Sequence, residues 1–199
     1  MPTKVPFKLH GVGEIPADYA ARVLFCVNSA YDGLLVFDQL NEMSPSRLRD
    51  TTLRLRDYWV DPVNSIALSL PAISNALELR SVVLQSPGFW EFVGSLNPLE
   101  ALRKYLTDRH ERNKDISYRS QAEAEKLNID NALLKVKLVS ETVDACRKAG
   151  LTEQEIRALV RDFVQIPLLK LESLQDKGVI SYAEIPNDQR VDVSEEVDA

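Results

Sequence analysis

Few side chains in this sequence are suited to acid–base, nucleophilic or metal chemistry. The histidines are His10 and His110, and the cysteines are Cys26 and Cys146. Two histidines so far apart give no paired spacing of the kind zinc and iron sites use, and no CxxC supplies a second pair of ligands. There is no GxSxG turn to expose a serine nucleophile and no GxxxxGK[ST] loop to wrap a phosphate. One near match is Gly11-Val12-Gly13, between an expected strand and an expected helix, where the backbone amides of a dinucleotide loop would meet phosphate. Pro16 stands where that fingerprint needs its third glycine, and its ring and missing N–H obstruct the approach. The segment reads instead as a strand-to-helix turn. The expectation is a non-enzymatic chain with no metal and no cofactor.

Two groups of residues suggest binding. Arg103, Lys104, Arg109, Arg112, Lys114 and Arg119 fall within twenty residues, interleaved with Tyr105, His110 and Tyr118, which is the composition of a nucleic-acid contact. Glu100, Asp108, Glu111 and Asp115 interrupt them, so the run reads better as a solvated helix face than as a phosphate-binding stripe. The second group is the dense cluster Phe89, Trp90, Phe92 and Val93, which suits a core anchor or an exposed protein contact. Membrane insertion there lacks the adjoining lysine-rich face such wedges use.

The elements that must carry these residues follow from periodicity. Val5, Phe7 and Leu9 alternate with polar or small neighbours, as on a half-buried strand. Tyr19, Val23, Cys26, Val27, Ala30, Leu34 and Phe37 recur at helical spacing over about 17–40. Leu48, Thr52, Leu55 and Trp59 fit a short helix. Alternation at Ile66, Leu68 and Leu70 fits a strand, and 77–85 reads as another. Ser86-Pro87-Gly88 breaks the chain before the aromatic cluster, and Asn97-Pro98 resembles a helix cap followed by proline at the first helical position. No proline or glycine then appears before Gly150, so 97–150 is a candidate long charged helix, about 75 Å if straight. Leu99, Leu102 and Leu106 open it with one apolar seam. Ile129, Leu133, Val136, Ser140 and Val143 form a heptad-like second seam out of phase with the first, across a polar stretch at 107–126 that is either an exposed rod or a break. Thr152 and Glu155 form a capping box flanked by Leu151 and Ile156, heading a helix that should stop at Pro167. A short leucine-rich helix to Gly178 and a strand over 179–185 follow.

The expected fold is therefore α+β. A strand-helix-strand-strand head (1–96) packs on helices, followed by a long helix with a coiled-coil-like seam (97–150), C-terminal helices with a short strand (151–185), and a disordered acidic tail (186–199). That tail and its approach, from Glu184 on, set six acids against the single base Arg190 and account for most of the net charge of −6. The early residues lack a signal-peptide core, no segment reads as a membrane span, and two unpaired cysteines suit a reducing compartment, so the cytoplasm is the expected location.

From Leu84-Gln85-Ser86-Pro87-Gly88-Phe89-Trp90-Glu91-Phe92 through Asn97-Pro98-Leu99 to Arg109-His110-Glu111-Arg112, the chain resembles a group of poorly characterised bacterial proteins. Their N-terminal layer is similar to TRADD-N-like adaptor modules of prokaryotic conflict and signalling systems. The resemblance implies an interaction module and brings no catalytic residues. The expected function is thus a protein-interaction or oligomerising adaptor, with a protein partner or a second copy as its ligand. The alternative is a nucleic-acid-associated regulator using the basic run, with nucleic acid the less favoured partner.

Overall fold

The computed structural model describes residues 3–60, 76–85, 87–116 and 137–186, with side chains of 53–60 and 112–116 outside that description. The expected strand at Ile66–Leu70, the seam residues Ile129, Leu133 and Val136, Arg119, and the acidic tail beyond residue 186 lie outside the described residues.

The alternation of Val5, Phe7 and Leu9 does produce a strand, β1 (Lys4–Gly11), with those three side chains buried. The chain turns into α1 (Ala17–Asn41), continues through α2 (Pro45–Val60), and returns as β2 (Glu78–Val83) and β3 (Gly88–Ser95). Then come α3 (Leu96–Ile116), α4 (Lys137–Lys148), α5 (Glu153–Leu159), a π-helical turn (Val160–Gln165), α6 (Ile166–Asp176) and β4 (Ile180–Glu184). The fold is α+β, as expected: a four-stranded antiparallel sheet in the order β2-β3-β1-β4, with helices packed on one face.

The aromatic cluster takes the core reading, and its setting is a strand: Phe89 to Val93 is the middle of β3, an inner strand paired with β1 along its whole length from Lys4↔Ser95 to Gly11↔Gly88. Trp90 and Phe92 therefore face the helices beside Phe7 and Leu9. The glycines next to this strand are needed for contact, not for phosphate. A Cβ on Gly11 would sit 2.3 Å from Val179 O, and one on Gly88 would sit 2.8 Å from Gly13 Cα. The Gly-Val-Gly segment is closely packed by β3 and the start of β4.

At the centre of the core is α1, which buries Val23, Val27, Ala30, Tyr31, Leu34, Phe37 and Leu40 against α3, α4 and α6. By length and composition α1 is apolar enough to cross a membrane, contrary to the sequence reading, and here its apolar surface is largely covered by the chain itself. Tyr31 locks it to the sheet: its hydroxyl accepts a hydrogen bond from Ser95 N at 2.8 Å, and its ring fills the space where Gly94 has no Cβ. Burial pushes the Tyr31 phenol above its ordinary pKa, with the hydrogen bond to Ser95 acting in the opposite direction.

A single straight helix over 97–150 does not occur. It would place Leu102 and Val143 about 60 Å apart, whereas α3 and α4 both pack on α1, touch each other and share one core. Burying both ends against one helix excludes the rod. Asn97 is no cap either, since the helix begins at Leu96 and the Asn97 amide donates to Asp38 Oδ1 at 3.0 Å. The buried stripe of α4 is Leu138, Val139, Thr142, Val143 and Cys146, and Ser140 turns away to bond Lys137 O. Thr142, fully buried, shares its hydroxyl between Phe37 O and Leu138 O, fixing α4 to α1.

Gly150, at φ 83°, ends α4, and the expected capping box starts α5: Glu155 N donates to Thr152 Oγ1 while Thr152 N donates to Glu155 Oε2 at 2.8 Å. Thr152→Ala removes one half of this exchange and should lower stability by about 1 kcal/mol. Urea midpoints should place Thr152→Ser close to the parent; equal losses in both variants would show that the cap contributes nothing.

The helix does not stop at Pro167. In a regular α-helix the proline ring would collide with the carbonyl four residues earlier, which is that of Phe163. The chain widens instead into the π-helical turn and resumes as α6. The displaced Phe163 carbonyl lies against Gly33 of α1, so close that a Cβ there would be 1.7 Å from its oxygen.

Candidate functional site

Most of the residues that the sequence proposes as a contact surface are core. Trp90, Phe92, Leu99, Leu102, Leu106 and Val143 are buried in the chain's own hydrophobic cluster. Assigning them to a partner interface is corrected on that ground: each already packs within the fold. Phe89 alone of the aromatic trio lies on the opposite, outer face of the sheet, half-buried, with Lys8 Nζ 5.2 Å from its ring centroid.

The basic run is partly occupied from within. Arg103 forks onto Glu100 at 2.5 and 2.9 Å, and these hydrogen bonds hold the Glu100 carboxyl below its ordinary pKa. Arg109 reaches across to α6, bonding Gln175 at 3.2 Å and Asp176 at 2.7 Å, with Glu172 3.4 Å from its Nε. Tyr105 also donates to Glu172, and Gln175 donates to Leu106 O and Ser181 O. This network ties α3, α6 and β4 together. Lys104 is exposed, while the side chains of Arg112 and Lys114 lie outside the described residues. Arg103 and Arg109, each engaged by carboxylates, do not form part of an open phosphate-binding stripe.

The two histidines meet around one tyrosine, a placement their separation in sequence conceals. His10 stacks on Tyr182 at 4.5 Å, and His110 lies 5.7 Å from the same ring at 39°. His10 Nε2 is 3.0 Å from Glu184 Oε1 but out of hydrogen-bonding alignment. No group of three ligating side chains converges among the described residues. The cysteines are free and buried, and burial pushes the Cys146 thiol up to about 11, far from the thiolate a nucleophile needs at neutral pH.

What the sequence reading missed is the free edge. The β4 edge is covered: α3 packs on it, and Thr107 donates to Ala183 O at 3.1 Å. The β2 edge carries no such cover among the described residues, and Leu79, Val82 and Leu84 are exposed there by 46%, 36% and 48%. Leu79 pairs with Phe92 and Val82 with Trp90, so both belong to the apolar face of the sheet but extend beyond the helices. An extra residue between Leu79 and Ser81 keeps this alignment. No local pattern in the sequence marks the free edge, because an edge is defined by the order of the strands.

Comparison with known proteins gave no match to this chain among protein-family models, curated proteins or solved structures.

Proposed function

We propose that this chain is a cytoplasmic, non-enzymatic protein-interaction module that assembles with a second copy through the open β2 edge. The carrying observation is the row of exposed Leu79, Val82 and, just past the strand, Leu84 on an edge strand whose outer side is open among the described residues. Such an edge presents unsatisfied backbone N–H and C=O groups, and strand addition satisfies them while covering apolar side chains. The strand is self-complementary. A two-fold axis between Arg80 and Ser81 sets Leu79 opposite Val82 in both halves and Leu77 opposite Leu84, with no like charges face to face. The sequence's resemblance to bacterial adaptor proteins agrees with this reading and suggests signalling or defence as its setting.

Light scattering on chromatographed protein across a concentration series should give the mass of two chains at high concentration. Val82→Lys, at an exposed position, should give one chain at every concentration, with the parent's unfolding midpoint when both are measured dilute enough for the parent to be monomeric. A parent that is monomeric at every concentration, or a Val82→Lys dimer, would eliminate β2 as the assembly surface.

A further inference from the structure

A second surface lies away from β2, along the seam between α1 and α6. Phe25 is the most exposed large apolar side chain described, at 61%, and Ile166 and Leu169 on α6 are exposed as well. Ile166, Leu169 and Lys170 share one face of α6 at helical spacing. Three cations accompany them, each over an aromatic ring: Lys170 5.3 Å from Phe25, and Arg22 and Lys177 5.7 and 5.9 Å from Tyr19. None of the three has a carboxylate within ion-pair reach among the described residues, unlike Arg103, Arg109, Arg147 and Arg161. Lys170 and Arg22 also act together on the buried Cys26 thiol, lowering a pKa that burial raises. The seam is a strip of apolar groups alternating with unpaired positive charge.

We propose that this seam is a docking surface for an acidic segment with interleaved aliphatic side chains, and that its occupant is the chain's own stretch 187–199. In that stretch Asp188, Asp192, Glu195, Glu196 and Asp198 outweigh the single base Arg190 and are interleaved with Val191, Val193 and Val197, the complement of the seam in both net charge and apolarity. Reach permits it. β4 carries the chain away from Lys177 by roughly 17 Å at about 3.3 Å per residue, and thirteen extended residues span up to about 45 Å. Lysine and arginine resting on aromatic rings keep their charge outward and partly desolvated, which strengthens a carboxylate contact. An anionic membrane surface is the competing occupant; the net charge of −6 opposes it, and the acidic stretch meets the seam at far higher effective concentration.

The test uses the full chain with a spin label on Ser194→Cys, the native cysteines being buried. At about 0.02 M salt the amides of Arg22, Phe25, Ile166 and Lys170 should lose at least about half their intensity. They should recover near 1 M, where the Debye length is about 3 Å. Lys170→Glu with Arg22→Glu, both at exposed positions, should abolish the broadening without shifting the unfolding midpoint. Mixing labelled chain with unlabelled isotope-enriched chain should leave the amides intact, since the contact is within one chain. Broadening only in the mixture, broadening elsewhere, or none at low salt overturns the proposal. So does seam binding to phosphatidylserine vesicles undiminished by the label-bearing segment. Because the readout is independent of mass, it succeeds or fails separately from assembly through β2.

Discussion

Gly33→Ala should destabilise the protein severely, although alanine in mid-helix ordinarily favours folding by about 1 kcal/mol over glycine. The added methyl would lie 1.7 Å from Phe163 O and 2.8 Å from its carbonyl carbon. Both are backbone atoms of the π-helical turn, so no rotamer change relieves the overlap. Relief requires α1 to move away from the turn, opening contacts made by buried Leu34, Phe37, Val164 and Leu168. Overpacking of this kind typically costs about 1–3 kcal/mol, more when backbone must shift; here we expect at least about 3, against total stabilities of about 5–15 for domains. Guanidinium unfolding should show the midpoint falling sharply or no folded baseline. A variant within about 0.5 kcal/mol of the parent would mean that the carbonyl does not occupy this notch.

Trp90→Ala should cost about 3–5 kcal/mol as a large-to-small change in a packed core, since Trp90 is buried beside Phe7, Leu9 and Phe92. Phe89→Ala, one residue away on the outer face, should cost much less. Paired denaturation curves check the contrast directly. Equal losses at both positions, or an assembly defect in Trp90→Ala with stability intact, would return the aromatic cluster to a surface role.

The sequence made local features legible wherever a short-range rule was sufficient. The two-residue alternation of β1, the helical spacing of α1 and the Thr152–Glu155 box all needed only near neighbours, and all occur. The failures were long-range. Phe89 to Val93 fits a core anchor and an exposed contact alike, because its role as an inner strand depends on β1, far away in sequence. Leu99 to Leu106 and Val143 look like seams awaiting an outside partner because nothing local says that α1 covers both. Pro167 reads as a stop unless one knows that a glycine on another helix can receive the carbonyl it displaces. The open β2 edge was invisible for the same reason, since a strand is an edge only relative to the rest of its sheet.

The position of β1 between β3 and β4 has a consequence for how the chain is made. The earliest strand of this sheet acquires its last neighbour only when Ile180 to Glu184 emerges, roughly ten to thirty seconds later at about 5–20 residues per second. Until then its second edge is open, and the contacts that close it have the largest sequence separation in the sheet. Nascent chains interrupted before β4 would expose the β1 edge as well as the β2 edge that is open among the described residues, so premature termination adds a site for strand addition.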